Sequence, residues 1–468
     1  MLMNIFLKGQ STDLSAVLLQ REKRSHYQNQ LEQRYPNKVV ISFKLNIPGP
    51  IKNNDYLARI FQTGWRVLLS QLTGQVIEHS RMENALTTGP EAFLVVAGDL
   101  SQLKQLTIKF EDDFPLGRLF DVDLMAGKDE KYQLSRQDLG FAPRTCLICD
   151  QEAKSCIKAQ RHSLMDAYQV INGLYANYYQ ENFYLFNWGK ATVINAALAA
   201  LLDEVTVTPK PGLVDPASNG AHQDMTAFTF IDSSLALRPY FVRAFELGQN
   251  FQGMDLTILF EQVRQAGIRA EQAMYLATKG VNTHKGLIFS LGIMVAALAQ
   301  VTKNGPSRAD RLRQIIQAMT ANLLTVDLQK GLANQEDLTA GQQQYQRYQL
   351  TGIRGEAAQA FPMVFELALP FLGQASGSDN QRYLDTLMLI AGQLADSTLI
   401  KRAGSPAILA KMQAWSAEYF ALGGSQRESG RTFLANLDQD FIKRNLSLGG
   451  AADTLVLTIF LARLQGVV

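Results

Sequence analysis

Two segments of this chain combine cations, amides and histidine with backbone breakers. Residues 279–286 read Lys-Gly-Val-Asn-Thr-His-Lys-Gly, and residues 208–215 read Thr-Pro-Lys-Pro-Gly-Leu-Val-Asp, running into Asn-Gly-Ala-His-Gln-Asp-Met over 219–225. Stretches this polar do not fill a core, and cations beside turning backbone suit a phosphorylated ligand. Asn282, His284 and Lys285 directly precede an apolar run of helical period, so the first-turn N–H groups can cradle phosphate while Lys285 supplies the countercharge. Pro209 and Pro211 hold the backbone extended around Lys210, and Gly212 permits a turn toward Asp215. His222 and Asp224 are close enough to share one ligand. Taken singly, each feature also fits a solvated turn or a surface histidine. Arg354 and Glu356 between glycines, Arg402 before Gly404, and Asp453 after Gly449 and Gly450 repeat the theme, with a plain helix cap as the alternative. Neither the G-x-x-x-x-G-K-[ST] spacing nor a G-x-G-x-x-G after a strand is present.

Asp121 and Asp123 stand two apart in a strand-like stretch, so both carboxylates project from one face and can converge on magnesium, as nucleotidyl transfer requires. Arg118 adds charge just upstream. The alternative is a pair of solvated acids on an amphipathic strand. All three cysteines, Cys146, Cys149 and Cys156, fall in one window followed by His162. They are candidate zinc ligands, the alternative being reduced thiols beside a surface histidine.

The elements that must hold these residues change character along the chain. Residues 12–34 and 54–73 suit helices. Lys38–Leu45, Ala92–Val96 and Arg118–Leu124 read as strands, which predicts an α/β or α+β domain. From about residue 165 strand signals fade. Helical periods then recur over 191–204, 235–249, 256–278, 286–301, 307–324, 381–394 and 452–464, predicting a larger all-α domain. The boundary falls between 165 and 190, in an aromatic-rich connector. A length of 468 residues fits two domains, and 47% hydrophobic with 19% charged residues is a globular composition. A formal net charge of +2 gives no field for gripping nucleic acid. The most apolar run, Gly286–Val301, is broken by Ser290 and Gly292, so no membrane span is expected. The first ten residues lack a basic leader and cleavage site, so a cytoplasmic location is expected.

The ordered motifs T-P-K-P-G-L-V-D, N-G-A-H-Q-D-M, G-V-N-T-H-K-G, G-I-R-G-E-A and N-L-S-L-G-G-A-A-D resemble the triphosphoribosyl-dephospho-coenzyme A synthase family over residues 185–468. The segments S-F-K-L-N-I-P-G-P, G-R-L-F-D-V-D-L and R-T-C-L-I-C resemble the apo-citrate lyase phosphoribosyl-dephospho-CoA transferase family over residues 1–170. The resemblance implies a nucleotidyltransferase-like first domain and a bifunctional enzyme of citrate lyase prosthetic-group synthesis. ATP and 3′-dephospho-CoA would be its substrates and the citrate lyase acyl carrier (gamma) subunit its partner. It further implies Asp215, Asp224 and Glu356 as acid–base candidates for ribosyl transfer. Lys210, His284, Lys285, Arg354 and Arg402 would hold triphosphate or pyrophosphate, with Asp453 available on the C-terminal loop. Asp121 and Asp123 would bind metal for transfer to a serine, with Arg21, Arg24 and Arg118 on phosphate. A dephospho-CoA-binding chaperone and a ribosyl hydrolase are the rival readings.

Overall fold

The structure, a computed structural model, describes residues 4–72, 75–126, 134–179, 183–326, 345–348 and 350–468. The chain divides into two compact units, Met1–Gln180 and Glu181–Val468.

The first unit is built on a four-stranded sheet of β1 (Val39–Leu45), β2 (Ile77–Glu83), β3 (Glu91–Val96) and β4 (Phe120–Ala126), in the order β2-β3-β1-β4. Every pairing is antiparallel, so of the two classes expected the unit is α+β. The alternation of β1 explains its two faces. Phe43 points to one side, where its ring lies 4.9–5.7 Å from Phe61, Trp65, Phe110 and Phe120. Those rings belong to helix α2 (Asp55–Gln71), helix α3 (Leu100–Asp113) and β4. Val40, Ser42 and Lys44 point to the other face. Helix α1 (Leu14–Arg34) covers part of that face, with Leu31 packed against Val40, Phe93 and Val95. Asp13 caps α1 by accepting from the Ala16 N–H, and Asn54 caps α2 through Tyr56 and Leu57. Strand β2 has no counterpart in the sequence reading because it is a mostly exposed, charged edge without apolar alternation. Arg118, expected on the strand, lies in the short turn before it.

The expected connector is split. Helix Leu164–Tyr179 belongs to the first unit, where Arg59 donates to the Tyr175 hydroxyl (2.9 Å) and Thr63 meets the Tyr179 hydroxyl (2.8 Å). Tyr184 and Trp188 belong to the second unit.

Among the described residues, the second unit is helical apart from a two-residue pairing of Tyr184–Leu185 with Ser307–Arg308. The stretch expected as one helix over 235–249 is two, Ala227–Ala236 and Arg238–Asn250, because Pro239 cannot donate into a preceding turn and starts a new helix. The apolar run is the helix Lys285–Thr302, 18 residues of mean hydropathy 1.6 and 72% buried. It is thus longer than the sequence reading allowed and would pass as a membrane span by length and composition. Its burial among Arg238–Asn250, Leu256–Ala277, Ala309–Met319 and the C-terminal helix Gly449–Gln465 accounts for that apolarity. The Tyr240 hydroxyl reaches this core over Gly292 and donates to Ile288 O (2.7 Å).

Gly248 permits a close helix crossing: a Cβ there would lie 2.0 Å from Ala296 O on the facing backbone. Gly248→Ala is therefore expected to cost about 1–3 kcal/mol through forced separation of the two helices. A lowered thermal midpoint of the helical unit would show it; an unchanged midpoint would refute the close approach.

Candidate active sites

On the open face of the sheet, the register sets Lys44 opposite Asp121 and Ser42 opposite Asp123. Lys44 Nζ lies 2.7 Å from Asp121 Oδ2 and 2.6 Å from Asp123 Oδ2. The two aspartates therefore do converge, and the ammonium marks a position where a cation meets both. Burial works to raise the Asp121 pKa, but Lys44 and Arg144 outweigh it and hold the carboxyl below its ordinary value. Arg144 Nη1 is 3.9 Å from Asp121 Oδ1, while its other terminal nitrogen donates to Phe120 O and stands 3.8 Å from Glu111 Oε1.

The arginines expected on phosphate here are placed otherwise. Arg24 pairs with the buried Glu91 (3.0 Å), because positions 20, 24, 27 and 31 of α1 form the stripe that faces the sheet. Arg21 lies off that stripe, exposed. Arg118 donates to Thr145 O. Sequence reasoning missed Lys44 and Arg144, because strand register and loop return are not local signals. Cys146, Cys149, Cys156 and His162 come together, their ligand atoms within 4.8 Å of one another.

In the helical unit the two polar segments meet in one cleft of ≈ 220 Å³. Glu204, His222, Asn282, His284, Lys285, Ser447, Gly449 and Asp453 line it. The N-termini of two long helices, Lys285–Thr302 and Gly449–Gln465, open on it. Their first-turn N–H groups and dipoles make it a site for anionic groups. Arg402 stands behind His222, within 3.2 Å of its ring, and is anchored on Ala221 O and Asn445 Oδ1. Burial and Arg402 keep His222 below the ordinary histidine pKa. His284 hydrogen-bonds Ser233 Oγ through Nδ1 (2.7 Å), and Ser233 in turn accepts from Thr283 (2.6 Å). Burial, aided by Lys210, lowers the His284 pKa to about 3, so the ring is neutral. A second cleft of ≈ 370 Å³, walled by Tyr240, Phe260 and Phe289 with Arg354 at its edge, shares Lys285 and Gly286 with the first.

Asp453 changes standing. Sequence reading made it a binding residue, but burial, with Asp396 and Glu204 nearby, raises its pKa well above the ordinary carboxyl value. It sits where Gly286 has no side chain; a Cβ there would lie 2.0 Å from Asp453 Oδ2. Asp396 is buried and accepts from Thr398, Leu399 and Ala451 N–H, tying two helix starts together.

Three residues expected at the chemistry are placed elsewhere. Asp215 accepts the N–H groups of Lys210, Ala217 and Ser218 with its two oxygens, so it organises the turn. Glu356 accepts from Met363 N–H (3.3 Å) and lines neither cleft. Lys210 is 1% exposed and its ammonium contacts Glu204 Oε1 and O, each at 2.5 Å, so it braces the cleft wall instead of reaching phosphate. Asp224 is exposed, near enough to His222 and Arg402 to act on both electrostatically.

Comparison with known proteins follows this division. The model of the ATP:dephospho-CoA triphosphoribosyl transferase family matches residues 190–467, and that of the apo-citrate lyase phosphoribosyl-dephospho-CoA transferase family matches residues 12–178. The chain is 48% identical over 471 residues to Protein CitXG of Leuconostoc mesenteroides subsp. cremoris, covering 99% of this chain and 100% of that protein. It is 31% identical to Protein CitXG of Haemophilus influenzae, covering 98% of each. A probable 2-(5''-triphosphoribosyl)-3'-dephosphocoenzyme-A synthase of Lactiplantibacillus plantarum is 49% identical over 270 residues, 58% of this chain and 95% of that protein.

The bracing role of Lys210 is testable. Lys210→Met strands the Glu204 carboxylate in the interior and should cost about 3–5 kcal/mol, whereas Lys210→Met with Glu204→Leu should recover most of that loss. Thermal unfolding of the helical unit reads both, and a Lys210→Met protein as stable as the parent would show that the ion pair is not structural.

Proposed function

The chain belongs to the ATP:dephospho-CoA triphosphoribosyl transferase family, joined in one polypeptide to an apo-citrate lyase phosphoribosyl-dephospho-CoA transferase region, and from that premise we propose how its residues divide two reactions. The protein is a transferase of citrate lyase prosthetic-group synthesis, with ATP and 3′-dephospho-CoA as substrates. We assign it to the cytoplasm, where both substrates are at hand.

In the helical unit the 2′-hydroxyl oxygen of 3′-dephospho-CoA bonds to the ribose C1 of ATP, the C1–N bond to adenine breaks, and the triphosphate stays attached. Departure of adenine needs a proton donor, attack by the hydroxyl needs an acceptor, and the oxocarbenium-like transition state needs negative charge nearby. Asp453, whose pKa is raised by burial and by the neighbouring Asp396 and Glu204, gives a proton to adenine. His222, kept neutral, accepts the hydroxyl proton. Glu204 lies in the cleft wall to stabilise positive charge at C1. The two helix N-termini and Lys285 hold the phosphates, Arg402 positions His222 from behind, and the neutral His284 and Asn282 offer hydrogen bonds at the same rim. Arg354, at the edge of the aromatic-walled neighbour, takes the far end of a long substrate. The observation that carries this reading is Asp453, set against Gly286 in a cleft where two helix N-termini open.

In the sheet unit a serine hydroxyl of the citrate lyase acyl carrier subunit bonds to the innermost phosphorus of the triphosphoribosyl group, and pyrophosphate leaves. Asp121 and Asp123 fit a magnesium ion, since both Oδ2 atoms meet a cation within 2.7 Å at Lys44. Such an ion would supply charge to neutralise phosphate and to stabilise departing pyrophosphate. Lys44 and Arg144, beside the aspartates, would contact phosphate oxygens.

Incubation with ATP, magnesium and 3′-dephospho-CoA should release adenine and yield a heavier CoA conjugate by chromatography. Adenine released without the acceptor would favour a hydrolase, and neither product would favour a binding protein. Asp121→Ala should abolish labelling of the carrier subunit yet leave adenine release intact, and Lys285→Ala should stop adenine release yet still label the carrier when given preformed triphosphoribosyl-dephospho-CoA; loss of both activities in Asp121→Ala would refute the division. Asp453→Asn should lower kcat for adenine release by roughly 100-fold or more. The parent enzyme should be active below the raised Asp453 pKa and lose activity as pH climbs through it. That alkaline limb should be missing from the residual Asp453→Asn profile; its persistence would remove Asp453 as the acid.

A further inference from the structure

Cys146, Cys149, Cys156 and His162 follow the spacing C-x2-C-x6-C-x5-H. No step of either reaction uses them. The Thr145–Glu152 bridge closes the loop that carries the first pair, and Cys146 N–H donates to Gln151 O (2.6 Å). The Ile148 N–H turns back onto Cys146 Sγ (3.5 Å). Cys156 is presented by the short helix Ala153–Lys158, and the chain then turns so that His162 Nε2 stands 3.2 Å from Cys149 Sγ. Cys149 and Cys156 sulfurs are 3.5 Å apart, both free thiols. Zinc–sulfur bonds of about 2.3 Å in a tetrahedron place sulfurs about 3.8 Å apart, close to what the side chains already adopt. Four soft or borderline donors with no carboxylate among them match zinc and not magnesium or calcium.

The knuckle is stitched to the aspartate pair on both sides. Arg144, two residues before Cys146, reaches Phe120 O and stands 3.9 Å from Asp121, and Arg144 O accepts from Ala153 N–H inside the knuckle (2.8 Å). Arg118, just before β4, donates to Thr145 O. We propose that these three cysteines and His162 bind one zinc ion, and that the closed knuckle is the positioning device that holds Arg144 against Asp121. The zinc site stands without the transfer reaction; only the use made of Arg144 rests on the proposed function.

The full-length protein, purified under reducing conditions and equilibrated with zinc sulfate, should hold one zinc per chain by elemental analysis. Replacement by cobalt should give the intense visible bands of a tetrahedral, thiolate-rich site. Cys149→Ser should lose the metal and slow carrier labelling roughly tenfold, while His162→Cys, which keeps four ligands, should retain both metal and labelling. Zinc-free protein after equilibration, a Cys149–Cys156 disulfide in its place, or full zinc content in Cys149→Ser would overturn the site. Zinc bound at one per chain with labelling unchanged in Cys149→Ser would overturn the positioning role alone.

Discussion

The helical cleft depends on a buried ion pair. Lys210 and Glu204 are almost wholly withdrawn from water, and neither could be there without the other. The backbone around Lys210 is fixed to match: Asp215 gathers three N–H groups of the turn, and Asp438 accepts from Gly212 N–H across 226 residues of chain (2.9 Å). Gly212 takes φ +68°, and a side chain on it would strike Leu446 O, so the turn seats directly against the segment leading into the C-terminal helix. The charge that composition suggested for binding phosphate is thus spent on holding the wall in which the binding groups stand.

That wall explains why polar residues from distant parts of the sequence can share a small cleft. Asp396 accepts N–H groups from two helix starts, which brings Thr398 and the first turn of Gly449–Gln465 to the same rim as Asn282 to Gly286. Satisfying those donors with a carboxylate fixes the helices where an anionic substrate would otherwise have to recruit them. Ala451 takes part through its backbone alone.

Much of this was legible in residue spacing, and what was not has a common cause. Helix starts such as Asp13 and Asn54, strands β1 and β3, and the long apolar helix announce themselves locally, through caps and periodicity. The grouping of Asp121 with Asp123 followed from the two-residue strand period. Lys44 did not, because its position between them depends on which strands pair and in what register. The same limit misplaced Lys210, Asp215 and Glu356. Each is a charged residue beside glycine or proline, and sequence cannot tell whether such a charge faces ligand or satisfies the turn that carries it. For Asp453 the sequence offers a binding role but not its electrostatics, since its pKa is raised by burial and by Asp396 and Glu204, remote in the chain.

The contrast between Asp121 and Asp453 carries the functional argument furthest. Both are aspartates in partly enclosed sites, yet their surroundings push them in opposite directions. Lys44 and Arg144 lower Asp121, leaving it ionised and suited to a metal and to phosphate chemistry, in which no proton need be delivered. Burial with two other carboxyl groups raises Asp453, which favours its protonated form and suits it to the proposed ribosyl transfer, where the leaving group must take up a proton as its bond to carbon breaks. An ionised carboxylate has no proton to give a departing base, and a carboxyl group that favours its proton is a poor ligand for magnesium. Two reactions with opposite demands on a carboxyl group therefore need two separately built environments, which is what one chain with two folded units supplies.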